Sequence, residues 1–319
     1  MPDGGFVAFP VDPEFMITSV VVLAPRGSVR PYALVLNDGS AFELTDVRDA
    51  GYGVARNISQ STVPHLPHEP DLPYSHIVYS TADAEEVCVT RHERQEVGYT
   101  VQLNIYVNAA DGFTADRAES NATLTTMLRE LRRLYSGVEL EFVVDYRDLS
   151  DDLAAEFRIV SNDSDAQRLA LLAPGAPEVE TLSLNVFLVE SLERTNFVLL
   201  GLSLGIPGPA GVHQTAASGI LLSAEYSDGR QMGQTLGHEL GHYLGLFHTT
   251  EQSGRHFYPL LDTPQCSADS DEWAFGTCPD RTNLMWPILT SQSLRLTDDQ
   301  GWVMRRHPLV LPNGLVGGD

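Results

Sequence analysis

The sequence predicts an α+β protein in which a small β-rich N-terminal domain precedes a larger domain built on a twisted mixed sheet. Three observations lead to this prediction. Short β-branched runs separated by turn signals fill residues 1–64. From Tyr99 onward, strand-like and helix-like segments alternate, which is typical of a sheet backed by helices. An amphipathic helix carrying two histidines follows the last of these strands.

The N-terminal domain is predicted at residues 1–64, with strand-like runs at 19–23, 32–36 and 41–44. Asn37-Asp38-Gly39, between the last two runs, is a hairpin turn signal. Residues 65–96 begin with the proline-rich run HLPHEPDLPYSH and are predicted to be a linker. The larger domain is predicted at residues 97–319.

The larger domain is expected to contain strands at 100–107, 138–146, 182–189 and 219–224. A backing helix is predicted at 116–135, with an inward leucine stripe formed by Leu124, Leu128, Leu131 and Leu134. A second helix is predicted at 232–246, after N-cap candidates around Asp228. Its packing stripe is Leu236, Leu240, Leu244 and Phe247.

The run HELGHYLGLFH at 238–248 has the residue types and spacing of a catalytic zinc site. His238 and His242 lie four apart, so a helix presents both on one face. An unbroken helix would carry residue 248 away from them, but Gly245 can adopt the positive φ that ends a helix and returns His248 as a third ligand. Three neutral ligands leave one zinc position open for water, and Glu239 is placed to act on that water as a base.

The extended motif resembles the metzincin metalloproteases, whose zinc helix is followed downstream by a tight turn carrying a methionine. Asn283-Leu284-Met285-Trp286-Pro287 fits this Met turn. The resemblance implies a metzincin-type catalytic domain with Met285 beneath the three imidazoles, although a methionine here also suits ordinary core packing. Pro287 stands where many metzincins carry a tyrosine.

Within the metzincins, residues 97–308 most resemble the pappalysin group, through segments that include Gly205-Ile206-Pro207-Gly208, Asp262-Thr263-Pro264 and a strand at 184–188. The resemblance implies that a substrate pairs with an edge strand, and the candidate rim is Ser218, Gly219, Ile220 and Leu221, continuing to Leu222. An interior strand is the alternative for this segment. The resemblance also makes Asp262 and Thr263 candidates for Ca²⁺, and a solvated acidic loop is the alternative there.

Three cysteines leave at least one unpaired. Cys266 and Cys278 flank a short turn-rich loop that a disulfide could close, or they are two free thiols. Cys88 lies between the proline-rich run and the first strand of the larger domain. Cysteine-switch propeptides of several metzincin groups suggest that Cys88 is a latency ligand in a proenzyme cut near Arg91 or Arg94, and an inert cysteine buried in a strand is the alternative.

Composition narrows the class of partner. A formal net charge of −23 disfavours nucleic acid and anionic membrane surfaces. The longest apolar run, at residues 17–25, is far shorter than the ~20 residues of a membrane span. Acidic residues near the N-terminus do not fit a signal peptide, so a secreted or cell-surface location is expected with the leader not present in this chain.

The function predicted from these residues is hydrolysis of peptide bonds in a protein or peptide substrate by a zinc-dependent endopeptidase. A zinc hydrolase that acts on a non-peptide substrate is one alternative, because a site fixes mechanism better than substrate. A zinc-stabilised binding or adhesion protein is the other. Such structural sites close the fourth zinc position with a further protein ligand and have no use for Glu239.

Overall fold

A two-sheet β-sandwich is followed by a larger mixed sheet flanked by helices in the described part of the chain. The computed structural model describes residues 4–43, 57–82, 84, 86–108, 112–173, 182–194, 197–225, 228–250, 260–264, 278–288 and 294–312.

The N-terminal sandwich consists of two antiparallel sheets, ordered β1-β6-β3-β4 and β5-β2-β7. Its strands are β1 Gly4–Pro10, β2 Ile17–Leu23, β3 Ser28–Leu36, β4 Ala41–Glu43, β5 Ile58–Val63, β6 Tyr74–Ala82 and β7 Cys88–Arg94. Val20, Leu34 and Ile77 are buried between the sheets. The Tyr79 hydroxyl, fully buried, donates to the carbonyl of Val20 at 2.8 Å and ties one sheet to the other.

The prediction of a linker at 65–96 is wrong, because β6 and β7 lie within it. β6 pairs with both β1 and β3, and β7 pairs with β2 along its whole length. After the last proline of the segment, Ile77 and Tyr79 alternate with less buried residues, which is the period of a half-buried strand. The β domain therefore extends through Arg94.

The central sheet of the larger domain is mostly parallel. Its strands are β8 Thr100–Val107, β9 Glu141–Asp148, β11 Ser183–Val189, β14 Gly201–Ser203, β15 Ile220–Ser223 and β16 Val310–Leu311; β10 Ile159–Val160, β12 Ser191–Arg194 and β13 Phe197–Leu199 form a small second sheet. β9, β8, β11 and β15 run parallel, and β14 lies antiparallel to β15 at the edge. The predicted strands are confirmed to within a few residues.

Helices cover both faces of this sheet: α1 Ala115–Ala118, α2 Ala122–Tyr135, α3 Asp151–Glu156, α4 Asp163–Leu172, α5 Gly229–Tyr243 and α6 Asp298–Met304. The main core lies between α2, α5 and one face of the sheet, and α3 and α4 cover the other face. The predicted helix at 116–135 is divided because the Asn121 side chain accepts from the amides of Thr123 and Leu124 and starts α2 anew. None of the described helices is long and apolar enough to cross a membrane.

A glycine at every fourth position of α5 lets this helix pack unusually close to α2. A β-carbon at Gly233 would lie 2.5 Å from the carbonyl oxygen of Met127, and one at Gly229 would lie 2.3 Å from that of Thr123. The Tyr135 hydroxyl of α2 donates to the carbonyl of Gly237 at 2.7 Å. Because backbone and not flexible side chains makes these contacts, the position of α5 is tightly fixed.

His307, after the end of α6, is buried in an uncharged form. Its Nε2 donates to the carbonyl of Gly208 at 3.0 Å, and its Nδ1 accepts from the amide of Leu309 at 3.3 Å. The ring is 2% exposed, and this burial lowers the pKa of His307 to about 3. The folded protein therefore keeps His307 neutral at pH values where the unfolded chain protonates it.

We expect the free energy of unfolding to fall as the pH is lowered from about 7.5 to about 5, and His307→Gln to make this fall smaller. The unfolded chain binds a proton at His307 below about pH 6.5 and the folded chain does not. Between these two pH values, this difference lowers the free energy of unfolding by about 2 kcal/mol. Urea unfolding at both pH values measures the effect. The control is His76→Gln, at an exposed histidine of β6, and a pH dependence of His307→Gln equal to that of the wild type would contradict the prediction.

Candidate metal centre

Three imidazoles converge on one point in the larger domain. The Nε2 atoms of His238, His242 and His248 lie 3.1–3.2 Å from one another. A tetrahedral zinc ion with Zn–N bonds of about 2.0–2.1 Å separates its ligand atoms by about 3.3 Å. Within the described part of the chain, these three residues form the one group of His, Cys, Asp or Glu side chains with metal-site spacing. The three histidines therefore fit one zinc ion.

The end of α5 brings the third histidine back towards the first two. His238 and His242 lie on successive turns of the helix. The helix then closes with a Schellman motif, in which Gly245 has φ +106° and donates to His242 O, while Leu246 donates to Gly241 O. The predicted turn at Gly245 is confirmed.

Hydrogen bonds on the outer side of two rings determine where the lone pairs point. His238 Nδ1 donates to the carbonyl of Leu284, and His242 Nδ1 donates to that of Leu246, both at 2.7 Å. Each proton is therefore on Nδ1, and each Nε2 lone pair faces the common point. Burial lowers the pKa of His242 to about 3 and that of His248 well below its usual value. Neutral rings with converging lone pairs repel each other unless a cation lies between them, so the chemistry of this donor set also fits zinc.

The segment around Met285 packs against α5 between the two helical histidines. Met285 is fully buried, and a β-carbon at Gly241 would lie 2.4 Å from its sulfur. The carbonyl of Met285 accepts from the amide of Thr249 at 3.2 Å, just after the third histidine. Met285 thus lies beside the turn that carries the third histidine. Its role as a floor beneath the imidazoles remains a prediction.

Glu239 faces the cleft next to the histidines. Burial raises the pKa of Glu239 to about 7, and the hydrogen bond that its Oε2 accepts from the amide of Ser203 at 2.7 Å acts in the opposite direction. A carboxylate with a pKa near neutrality can both take up and release a proton at physiological pH. This hydrogen bond also fixes the carboxylate relative to the edge of the central sheet.

The predicted substrate rim is wrong. β15, which contains Ile220 and Leu221, is interior, because it pairs with β11 on one side and with β14 on the other. Ser218 and Gly219 precede it, and the buried Ser218 hydroxyl bonds to Thr215 Oγ1 and to the carbonyl of Val212. Among the described strands, β14 is at this edge; its three residues follow β13 after one residue and precede the long loop at 204–219.

Gly201 and Ser203 of β14 are site residues that the sequence analysis missed. A β-carbon at Gly201 would lie 2.7 Å from Glu239 Cγ and 2.6 Å from Thr235 Cγ2. The edge strand passes so close to α5 that only glycine fits there. The one sequence signal was the glycine in the apolar run LLGLSLG, and β14 is too short to show a strand period.

A cleft of about 270 Å³ lies over the histidines. Its lining includes β14 and apolar residues of the following loop, together with α4 and Pro287. The lining residues are Asp163, Gln167, Leu199, Gly201, Leu202, Ser203, Leu204, Ile206, His238, Glu239, His242, His248 and Pro287. The metal position is thus open to a cleft large enough for a small part of a substrate.

The two calcium candidates make internal hydrogen bonds. Asp262 Oδ2 accepts from the amide of Asp299 at the start of α6, at 2.9 Å. Thr263 Oγ1 donates to the carbonyl of Leu260 at 3.0 Å. Through these contacts, both residues stabilise the loop. Calcium binding remains a prediction.

Cys88 does not lie where a cysteine that blocks the metal position would have to lie. Cys88 is free and exposed at the start of β7, opposite Leu23. It belongs neither to the three-histidine cluster nor to the cleft lining, so the switch geometry is absent, and the alternative of a buried cysteine is also wrong. Cys278 is buried against Trp286. Cys266 lies outside the described residues, and its pairing with Cys278 remains a prediction.

No protein-family model and no curated protein matches the chain. Among solved structures, the chain is similar to metalloproteinase-II from Bacteroides fragilis, with 14% identity and a TM-score of 0.38 over 66% of this chain and 54% of that one. It is also similar to archaemetzincin from Methanopyrus kandleri, with 13% identity and a TM-score of 0.35 over 66% of this chain and 95% of that one. The matched region spans about half the length of the Bacteroides protein.

We expect the chain to bind one zinc ion. His248→Ala should weaken zinc binding by more than about a hundredfold, because it removes a metal ligand and not merely a group that hydrogen-bonds to a ligand. Competition with a chromophoric chelator, with metal analysis of the dialysed protein, gives both the affinity and the stoichiometry. The matched control is His76→Ala at an exposed position. Wild-type affinity in His248→Ala would show that this residue is not a ligand.

Proposed function

We propose that this protein is a zinc-dependent endopeptidase of metzincin type. The observation that carries the proposal is the combination, in one cleft, of three converging histidines, the buried carboxylate of Glu239 and the last described strand of the central sheet. His238, His242 and His248 would hold the ion. When bound, zinc supplies a Lewis acid that polarises a carbonyl and lowers the pKa of water.

Glu239 is the proton-transfer group in this proposal. The amide of Ser203 holds Oε2, which leaves Oε1 to take the proton from the attacking water and deliver it to the leaving amine. The same hydrogen bond keeps the carboxylate from rotating, so proton transfer starts from one geometry. A zinc site that only stabilises a fold has no use for such a group, which argues against the binding or adhesion alternative.

The edge strand β14 supports a peptide as substrate. β14 ends the described order of the central sheet, and the backbone groups of its outer side other than the Ser203 amide, which binds Glu239, can pair with an extended chain. The loop after it adds apolar side chains, Leu204 and Ile206, to the cleft wall. Within the metzincins, we propose that the chain is nearest to the pappalysin group, because its sequence segments resemble that group.

Glu239→Gln should retain zinc and lower kcat for peptide hydrolysis by about 10²–10⁴, because the variant removes the base but no ligand. Metal content and steady-state rates on the same preparation separate the two effects. Glu139→Gln, at an exposed carboxylate paired with Arg305, is the control and should behave as wild type. Substantial turnover by zinc-loaded Glu239→Gln would exclude this mechanism.

The class of substrate is tested with the wild-type protein on a mixed peptide library and on a panel of ester and amide model substrates, each with and without chelator. Chelator-sensitive cleavage within peptides supports the proposal. Hydrolysis of the model substrates alone would favour the non-peptide hydrolase.

Gly201→Ala should lower kcat/KM at unchanged zinc affinity, because the added methyl group must displace the edge strand or Glu239. A shift of about 1 Å at such a site can reduce the rate by about a hundredfold. The control is Gly137→Ala, where an added β-carbon meets no atom within 4 Å. Unchanged kcat/KM in Gly201→Ala would show that the close approach of β14 is not needed for catalysis.

A further inference from the structure

The loop at 204–219 connects the cleft to the N-terminal sandwich. It begins directly after β14 and leads into β15, and its first residues, Leu204 and Ile206, line the cleft. The amide of Leu204 donates to the carbonyl of Gly219, which closes the base of the loop at 3.1 Å. The shape of the cleft wall therefore depends on what holds this loop.

The end of the metal-binding helix holds the inner side of the loop. The amide of Gly208 donates to the carbonyl of Tyr243 at 2.8 Å, and the Tyr243 hydroxyl donates to the carbonyl of Pro209 at 3.1 Å. A β-carbon at Gly208 would lie 2.1 Å from the Tyr243 ring. The loop thus lies directly against the residue that follows His242.

The N-terminal sandwich holds the outer side of the same loop. Gln60 of β5 accepts from the amide of Ala210 at 2.8 Å, and His92 of β7 donates from Nε2 to the carbonyl of Ala210 at 3.3 Å. Gln60 is 2% exposed and Ala210 is fully buried. Further along the loop, Ala217 packs with Val21 and Ile58 in a small apolar cluster. The sheet β5-β2-β7 thus contacts the loop at two places through both polar and apolar contacts.

A second route joins the sandwich to the loop through His307. The guanidinium of Arg94, at the end of β7, donates to the carbonyl of His307 at 2.7 Å and to that of Val310. The His307 ring in turn donates to the carbonyl of Gly208. Most of the hydrogen bonds from the sandwich and from His307 are made to backbone groups. They therefore determine the backbone conformation of the loop as well as its distance from the sandwich.

We propose that the N-terminal sandwich is a permanent support of the substrate-binding site and not a removable propeptide, with Gln60 as a positioning residue that acts through the 204–219 loop. The inference rests on the proposed function, because it concerns how that cleft binds peptide. Gln60 belongs neither to the cleft lining nor to the metal cluster, so its effect is exerted only through the loop.

The test compares full-length, zinc-loaded Gln60→Ala with wild type in peptide hydrolysis. We expect KM to rise about tenfold, the scale of one lost buried hydrogen bond, and kcat to change less than about twofold, because the metal ligands and Glu239 are untouched. Gln95→Ala, at an exposed glutamine between β7 and β8, is the matched control with wild-type constants. A folded, zinc-loaded Gln60→Ala protein with unchanged KM would overturn the proposal.

Two further measurements separate this inference from the proposed function. Amide hydrogen exchange should become faster in peptides covering 204–219 of Gln60→Ala and stay unchanged in those covering α5. This result is independent of turnover, so it tests the contact even if the wild type hydrolyses no peptide, an outcome that would refute the proposed function alone. The mass of the fully active species should be that of the intact chain, and full activity in a species beginning near residues 91–97 would overturn the inference.

Discussion

The convergence of three imidazole lone pairs is the constraint on which the rest of the larger domain depends. The three Nε2 atoms lie 3.1–3.2 Å apart, and hydrogen bonds from outside the cluster hold two of the rings. The carbonyls of Leu284 and Leu246 do this for two rings, and they belong to segments far apart in the chain. Folding of these segments and uptake of a cation are therefore thermodynamically linked.

The close packing of α5 against its neighbours positions the histidines that this helix carries. Glycines at 229, 233, 237 and 241 allow α2 and Met285 to approach the helix more closely than any side chain would permit. Gly201 allows the edge strand to do the same from another side, directly over Glu239. The helix that carries His238, Glu239 and His242 is thus closely packed, against backbone at Gly229 and Gly233 and against buried side chains at Gly237 and Gly241.

Local features of the site could be predicted from the sequence, and features that depend on distant partners could not. The spacing of the histidines and the turn at Gly245 follow from helix geometry alone. The sequence does not reveal the edge strand β14, because three residues cannot show a strand period, and without β14 the neighbouring β15 looks like an edge. In the N-terminal domain, the prolines before β6 predict a linker, whereas the alternation of buried and less buried residues after them is that of a strand. The sequence prediction therefore misses β6 and β7.

The shortness of β14 has a consequence for solubility. A free sheet edge is a template on which any extended chain can add a strand, including another copy of the same protein. Only three residues of β14 offer this edge, which is enough to align a brief stretch of a bound chain but too little to start a continuous intermolecular sheet. The net charge of −23 adds mutual repulsion between copies. Among the described residues, the outer side of β14 can thus stay unpaired without being long enough to start an intermolecular sheet.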